Sequence, residues 1–304
     1  MAVYVATSHN QISPFGNSII SGIPRRIMEN EFDLFRKNPP RDIRECFRRL
    51  DVCEGVPFGA LASELEKKSF QQLWSRKGPA SVKSWHAVVV EALMGKSPDN
   101  KKDRDLDFAE IKIIPINNPK VNARIMKHWP VPKEATKLCS FSYDEVLQTE
   151  FVNSSVFRKL SSILFVPVMW GKTNKRSPED YYSMFMSNSF MWVPNVKMIS
   201  QLRTEYDEIR AHLAAKVSKG EWTTEDGRIE VQFPKKGESV LFQKSGGGQK
   251  GSDSSKITIN GRKYNAKKKT WWISKKFTYD LMQYVMFNRV QEQINTQYAM
   301  RSEN

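Results

Sequence analysis

Glu91, Asp105, Glu110 and Lys112 are the residues of this chain whose types and spacing could do chemistry together. The last three stand in the run DLDFAEIKIIP, residues 105–115, where a carboxylate is followed by Glu-x-Lys inside an apolar stretch. Successive side chains of a β-strand point to opposite faces, so Glu110 and Lys112 are expected to project together while Ile111 and Ile113 enter a core. Carboxylate oxygens are the ligands that Mg²⁺ prefers, and a neighbouring ammonium can orient or acidify an attacking water. Such a set suits hydrolysis of a phosphodiester. Glu-x-Lys alone is a weak signal, because charged residues alternate on the open face of many half-exposed strands. The apolar setting strengthens it, since a buried charge needs a partner or a metal ion.

These residues need a helix and a strand to position them. Residues 81–94 pattern as a helix, with Val82, Trp85, Val88, Val89, Ala92 and Leu93 in one apolar stripe. Glu91 lies roughly opposite the centre of that stripe. A solvated glutamate fits the position, and so does a carboxylate presented toward the strand. Residues 106–116 read as that strand. Asp103, Asp105 and Asp107 compete for the role of middle acid; Asp107 ranks last, because its odd spacing from Glu110 would turn the two to opposite faces.

Elsewhere, helical spacing covers residues 27–50, broken at Pro39 and Pro40, then 58–74, 154–162, 195–216 and 277–300. Apolar runs at 138–143 and 163–170 predict buried strands, and 228–233 alternates as a strand should. Asn260-Gly261 predicts the turn of a hairpin near 256–263. Residues 1–20 read as an irregular lead-in, and SGGGQKGSDSS at 245–255 as a flexible loop.

With 304 residues, of which 39% are hydrophobic, the chain can bury a sizeable core. Its net charge of +15 favours a polyanionic partner, nucleic acid first. No apolar stretch approaches the roughly 20 residues that span a bilayer, and the start lacks the features of a secretory signal. Cys46, Cys53 and Cys139 are odd in number and scattered, with no zinc spacing. An intracellular, basic, soluble protein is expected. The four histidines form no ligand pair, and Gly246-Gly247-Gly248 lacks the strand–turn–helix setting of a phosphate loop. Trp271-Trp272 between Lys267-Lys268-Lys269 and Lys275-Lys276 is less ordinary: aromatic rings interleaved with cations suit a nucleic-acid groove, although tryptophans also fill cores.

The ordered set of segments resembles the MutH family of DNA endonucleases, which includes mismatch-repair nickases and restriction endonucleases that cut at GATC. Lys83-x-Trp85 followed by Glu91 and Leu93-x-Gly95 is similar to that family's Lys-Gly-Trp…Glu…Leu-Gly. Asp105 with Glu110-Ile-Lys112 and Pro115 is similar to its Asp…Glu-Leu-Lys-Thr-Ile-Pro. Lys159-Leu160 before residues 163–168, Trp192-x-Pro194-Asn195, and Trp271 to Thr278 match further segments in order. The similarity covers about residues 55–290. It implies a restriction-endonuclease-like α/β fold, a mixed sheet flanked by helices with a cleft between two arms. Residues 1–54 would be a partly helical extension and 55–304 the nuclease domain. Glu91, Asp105 (or Asp103) and Glu110 would hold Mg²⁺, with Lys112 catalytic and Lys83 and Lys159 assisting near the phosphate. Water would attack phosphorus in line, leaving a 5′-phosphate and a 3′-hydroxyl. Double-stranded DNA would be the substrate, contacted by Phe233, Lys235, Trp272, Lys275 and Lys276; pairing of two copies on DNA is compatible with cutting both strands.

The chain departs from the family pattern in three places. The loop before the strand is two residues short, which leaves Asp103 and Asp105 both open. Phe233-Pro234-Lys235 stands for Arg-Pro-Lys, and Trp272 for a tyrosine. A bidentate contact to a base is worth about 1–3 kcal/mol of discrimination, so these changes bear on the GATC site. A restriction-like endonuclease is the first expectation, a strand-nicking repair enzyme the second, and a catalytically silent DNA-binding module the third.

Overall fold

The structure, a computed structural model, describes residues 2–4, 35, 38–66, 85–95, 105–117, 131–169, 181–225, 227–233, 239–245 and 255–285. Strand β1 (Ala2–Tyr4) opens the chain, so the expected irregular lead-in begins with a strand. Helices α1 (Ile43–Cys53), α2 (Phe58–Glu66) and α3 (Trp85–Leu93) follow. The start of α1 is fixed by Asp42, whose carboxylate accepts from the Glu45 amide at 2.9 Å and satisfies one of the orphan donors of a first turn.

Strand β2 (Glu110–Asn117) carries the candidate charges, and β3 (Val131–Pro132) pairs with it antiparallel. It begins at Glu110 rather than at Leu106, because residues 105–108 are bends. With β5 (Ile163–Met169), β6 (Phe185–Met186) and β7 (Phe190–Val193), it forms a six-stranded sheet of order β1-β7-β5-β2-β3, with β6 on β5. All of β5 but its last residue is buried, as expected of a strand covered on both faces. β2 is covered on both faces too. Ile111 is buried on one face, while Glu110, Ile114 and Ile116 are buried on the other. This corrects the one-sided expectation: Ile113 is only half-buried, and the face that carries Glu110 is itself part of a core.

A second set of strands is antiparallel but for one pairing. β4 (Thr136–Phe141), β10 (Leu241–Ser245) and β13 (Lys269–Ile273) make a three-stranded sheet of order β10-β13-β4. β8 (Thr223–Glu225), β9 (Arg228–Glu230), β11 (Ser255–Ile259) and β12 (Arg262–Ala266) make a four-stranded one, in which β12 and β9 run parallel. The expected hairpin is present. Asn260 and Gly261 both have positive φ, 50° and 76°, as a tight primed turn requires. Helices α4 (Tyr143–Gln148), α5 (Ser155–Leu160) and α6 (Val196–Lys219) complete this part, and the chain is helical again over 275–285. α6 starts where Asn195 accepts from the Met198 amide, and it stops at Gly220, whose φ of 68° ends the helix left-handed.

Contacts divide the chain into two compact units. The first comprises Met1–Val3, Glu134–Ile163 and Trp192–Asn304; the second comprises Tyr4–Lys133 and Leu164–Met191. Residues 35–53 therefore belong with the strand that carries Glu110. In the first unit Tyr206 of α6 stacks on Trp271 of β13, with ring centroids 5.7 Å apart and planes at 22°. Glu205 of the same helix accepts from the Val240 and Leu241 amides at 3.0 and 2.7 Å, which ties α6 to the start of β10. The architecture is mixed α/β, a mixed central sheet flanked by helices. Among the described residues no helix is long and apolar enough to cross a membrane.

Candidate active site and DNA-facing surface

The charged residues of β2 interact directly. Glu110 is 2% exposed, and one of its carboxylate oxygens, Oε1, accepts from Lys112 Nζ at 2.7 Å. The two side chains share a face because they stand two residues apart on a strand. The ammonium is the more open partner, with 14% side-chain exposure against 3% for the carboxylate. Asp105 sits in the bend before the strand, where its Oδ2 accepts from the Ile111 amide at 3.0 Å. The acid is thereby tied to the backbone of the residue that follows Glu110. Asp107, in the same bend, is exposed. The parity reason for ranking it last does not apply, since the bend precedes the strand. Its exposure is a separate reason to leave it out.

Glu91 lies in the last turn of α3 and is half-buried, while Val89, Val90, Leu93 and Met94 around it are buried. The structure thus brings Asp105, Glu110 and Lys112 together at one strand end and places Glu91 on a helix of the same unit. Among the described residues, no three His, Cys, Asp or Glu side chains form a ready-made metal cluster. Mg²⁺ does not demand one: it is commonly held by one or two carboxylates, with water and substrate phosphate completing its shell. The donor chemistry at Asp105 and Glu110, hard oxygens at a buried strand, fits that ion. Lys83 and Asp103 lie outside the described residues, as do Lys235 and most of the 245–255 loop. Lys159 is half-buried on α5 in the first unit.

The tryptophan pair separates into two roles. Trp271 is fully buried against Tyr206 and Phe141, whereas Trp272 faces the other side of β13 and stays half-exposed. Phe242 is its cross-strand partner on β10, and Lys244 Nζ lies 4.8 Å from the Trp272 ring centroid and 5.4 Å from that of Phe242. Lys137 of β4 is the partner of Trp272 on the other side and is exposed. Sequence reasoning missed Phe242, Lys244 and Lys137, because only strand register places them beside Trp272. Two aromatic rings under a cation form a surface on which a nucleobase or sugar can stack. Lys275 and Lys276 are exposed just beyond it, and Lys276 pairs with Asp280 at 2.9 Å.

Phe233 is half-buried and packed. Its ring lies 5.7 Å from that of Phe141 and 5.5 Å from His212, with Lys269 Nζ 5.7 Å from its centroid. Lys269 is buried, and it shares Glu230 with Lys267, whose Nζ stands 2.7 Å from the carboxylate. The Lys267 hydrogen bond holds the Glu230 carboxyl below its ordinary range, and burial pushes the Lys269 ammonium down.

The two tryptophans give a clear contrast. Trp271→Ala is expected to cost about 3–5 kcal/mol of stability, as for other large aromatic truncations in a core. Trp272→Ala should change stability little yet weaken DNA binding by about 1–3 kcal/mol, the range for one lost stacking contact. Urea denaturation and fluorescence anisotropy on a labelled duplex check both; equal stability losses would contradict the assignment.

A mixed α/β fold with a carboxylate bend and a buried Glu-x-Lys strand is of the restriction-endonuclease-like class. In comparison with known proteins, residues 94–205 match the family described as DNA mismatch repair enzyme MutH, so the MutH resemblance holds over that span. Asp105, Glu110, Lys112 and Lys159 lie within it. Similar proteins are the DNA mismatch repair proteins MutH of Shewanella baltica and Shewanella putrefaciens. Each is 24% identical over 210 residues, covering 68% of this chain and 84% of the relative.

Proposed function

We propose that the chain is a Mg²⁺-dependent DNA endonuclease that hydrolyses phosphodiester bonds at a short recognition site. The observation that carries this reading is the buried Glu110 bonded to Lys112, with Asp105 anchored to the intervening Ile111 amide, inside the stretch that matches the MutH family. Asp105 and Glu110, with Glu91 from α3, would hold Mg²⁺, which when bound would neutralise charge on the scissile phosphate and sharpen water as a nucleophile. The chain's own residues would do the rest. The apolar walls around β2 limit solvent and strengthen each electrostatic contact. Lys112 would hold the attacking water or a phosphoryl oxygen through its ammonium. Water oxygen bonds to phosphorus as the bond to the 3′-oxygen breaks; the proton shed by water leaves to solvent, and the departing oxygen takes one up. The products are a 5′-phosphate and a 3′-hydroxyl.

Trp272, Phe242, Lys244, Lys275 and Lys276 are proposed to contact duplex DNA, helped by the charge of +15. GATC is the first sequence to try, and restriction-like cleavage of both strands is the preferred form. The names of the Shewanella relatives support a second form, a nick in one strand during mismatch repair. The deciding experiment incubates purified protein with supercoiled plasmid, methylated or unmethylated at GATC, with Mg²⁺ or EDTA. Discrete linear fragments support restriction, and relaxed circles support nicking. Plasmid left intact with Mg²⁺ and with Mn²⁺ would sink the nuclease reading.

A further inference from the structure

We propose that Arg49 is a positioning residue for Glu91, holding the end of the helix from which that carboxylate would reach the metal; the inference rests on the nuclease reading above. Arg49 lies on α1, before the span that matches the family, yet it is 1% exposed. A buried guanidinium is costly unless its donors are met. Here Nη1 meets two backbone carbonyls and Nη2 a carboxylate, while the buried Nε has no hydrogen-bond partner among the described residues. Nη1 donates to the Phe35 carbonyl at 3.3 Å and to the Leu93 carbonyl at 3.0 Å, Nη2 donates to Glu45, and the guanidinium carbon lies 4.7 Å from the centroid of the Phe35 ring. Leu93 is the last residue of α3, two positions after Glu91.

The last carbonyls of a helix have no partner within it, and a cation at that end also complements the helix dipole. Arg49 supplies both the donor and the charge. Nη1 bridges two carbonyls from different segments while Nη2 holds the Glu45 carboxylate, so the planar fork fixes three acceptors at once, which the single nitrogen of a lysine does not reproduce. If packing alone were needed, an apolar side chain of similar volume would serve. The α1 segment is therefore assigned as a buttress for the acid-bearing helix.

The test compares Arg49→Met, which keeps the volume, with Arg49→Lys, which keeps the charge. Three readouts apply to the full chain: Mn²⁺ affinity by calorimetry, amide hydrogen exchange in the last turn of α3, and plasmid cleavage. Loss of a residue that orients a ligand typically weakens metal affinity by about 10–100-fold, and that is the shift expected for Arg49→Met. Exchange at the α3 end should quicken, kcat should fall and KM for DNA should hold, with Arg49→Lys between variant and wild type. Should Arg49→Met fail to fold, Glu45→Gln, at a side chain 27% exposed, is expected to produce a smaller shift in the same direction. Unchanged Mn²⁺ affinity and exchange in a folded variant whose parent cuts DNA overturns this inference and leaves the nuclease reading intact. A wild-type protein that neither binds Mn²⁺ nor cuts DNA overturns both.

Discussion

Glu110→Gln is expected to leave a folded protein whose cleavage rate has fallen at least about a thousandfold, the scale on which a preorganised electrostatic group acts. The change keeps the shape of the side chain and removes its charge, so the site loses an anionic ligand oxygen while β2 keeps its packing. Lys112→Met should be equally inactive but for a different reason, and stability tells the two apart. In Lys112→Met, a carboxylate with 3% exposure loses the donor that Lys112 supplies and faces a core containing Ile114 and Ile116. Breaking a buried pair from one side costs about 3–5 kcal/mol; the 14% exposure of Lys112 points to the lower end. Glu110→Gln instead leaves the more solvated partner behind and should cost less.

A divalent cation sharpens that comparison. Mg²⁺ would replace the missing ammonium as the counter-charge of Glu110, so urea midpoints of Lys112→Met should rise with Mg²⁺ while those of Glu110→Gln stay flat. Identical midpoints for Lys112→Met with and without Mg²⁺ would show that Glu110 does not meet the ion.

Gly95→Ala is the second large effect, and it is conformational. Gly95 ends α3 with φ of 64°, and a Cβ there would stand 2.7 Å from the Phe35 carbonyl oxygen, 2.8 Å from Pro39 N and 2.9 Å from Asn38 C. All three are backbone atoms, so relief requires the backbone of Phe35, Asn38 and Pro39 to move. The left-handed conformation and the overpacking together should cost about 2–4 kcal/mol. Gly55 is the internal control. It has a similar φ of 72° but open space around its missing Cβ, so Gly55→Ala should cost only about 1–2 kcal/mol. Calorimetric melting of the two variants checks the difference; equal losses would mean that Phe35, Asn38 and Pro39 are not packed against the end of α3.

Much of the local structure was legible in the residues themselves. Asn195 and Gly220 bracket α6 because one side chain caps a first turn and the other residue alone turns left-handed cheaply. Asn260-Gly261 marked its hairpin for the same local reason. Glu110 and Lys112 were legible as a pair because two-residue spacing on a strand fixes a common face wherever that strand goes. Strands β10 and β13 escaped notice, since LFQKS and KTWWI mix lysine with aromatic residues and show no clean alternation.

What the sequence by itself determined is therefore the order of the charged groups, their helical or extended setting, and the caps that begin and end α6. Those are short-range properties, set by backbone sterics and by side chains a few positions apart. Only the tertiary structure decided that Trp271 is core and Trp272 is surface: alternation turns them to opposite faces of β13, and the face that Phe141 and Tyr206 cover is the one that carries Trp271. It likewise decided that the Glu110 face is buried, since that depends on what covers a strand within its sheet. Arg49 belongs to the same group: an arginine on an amphipathic helix looks solvated until a distant helix end supplies the carbonyl that accepts its hydrogen bond.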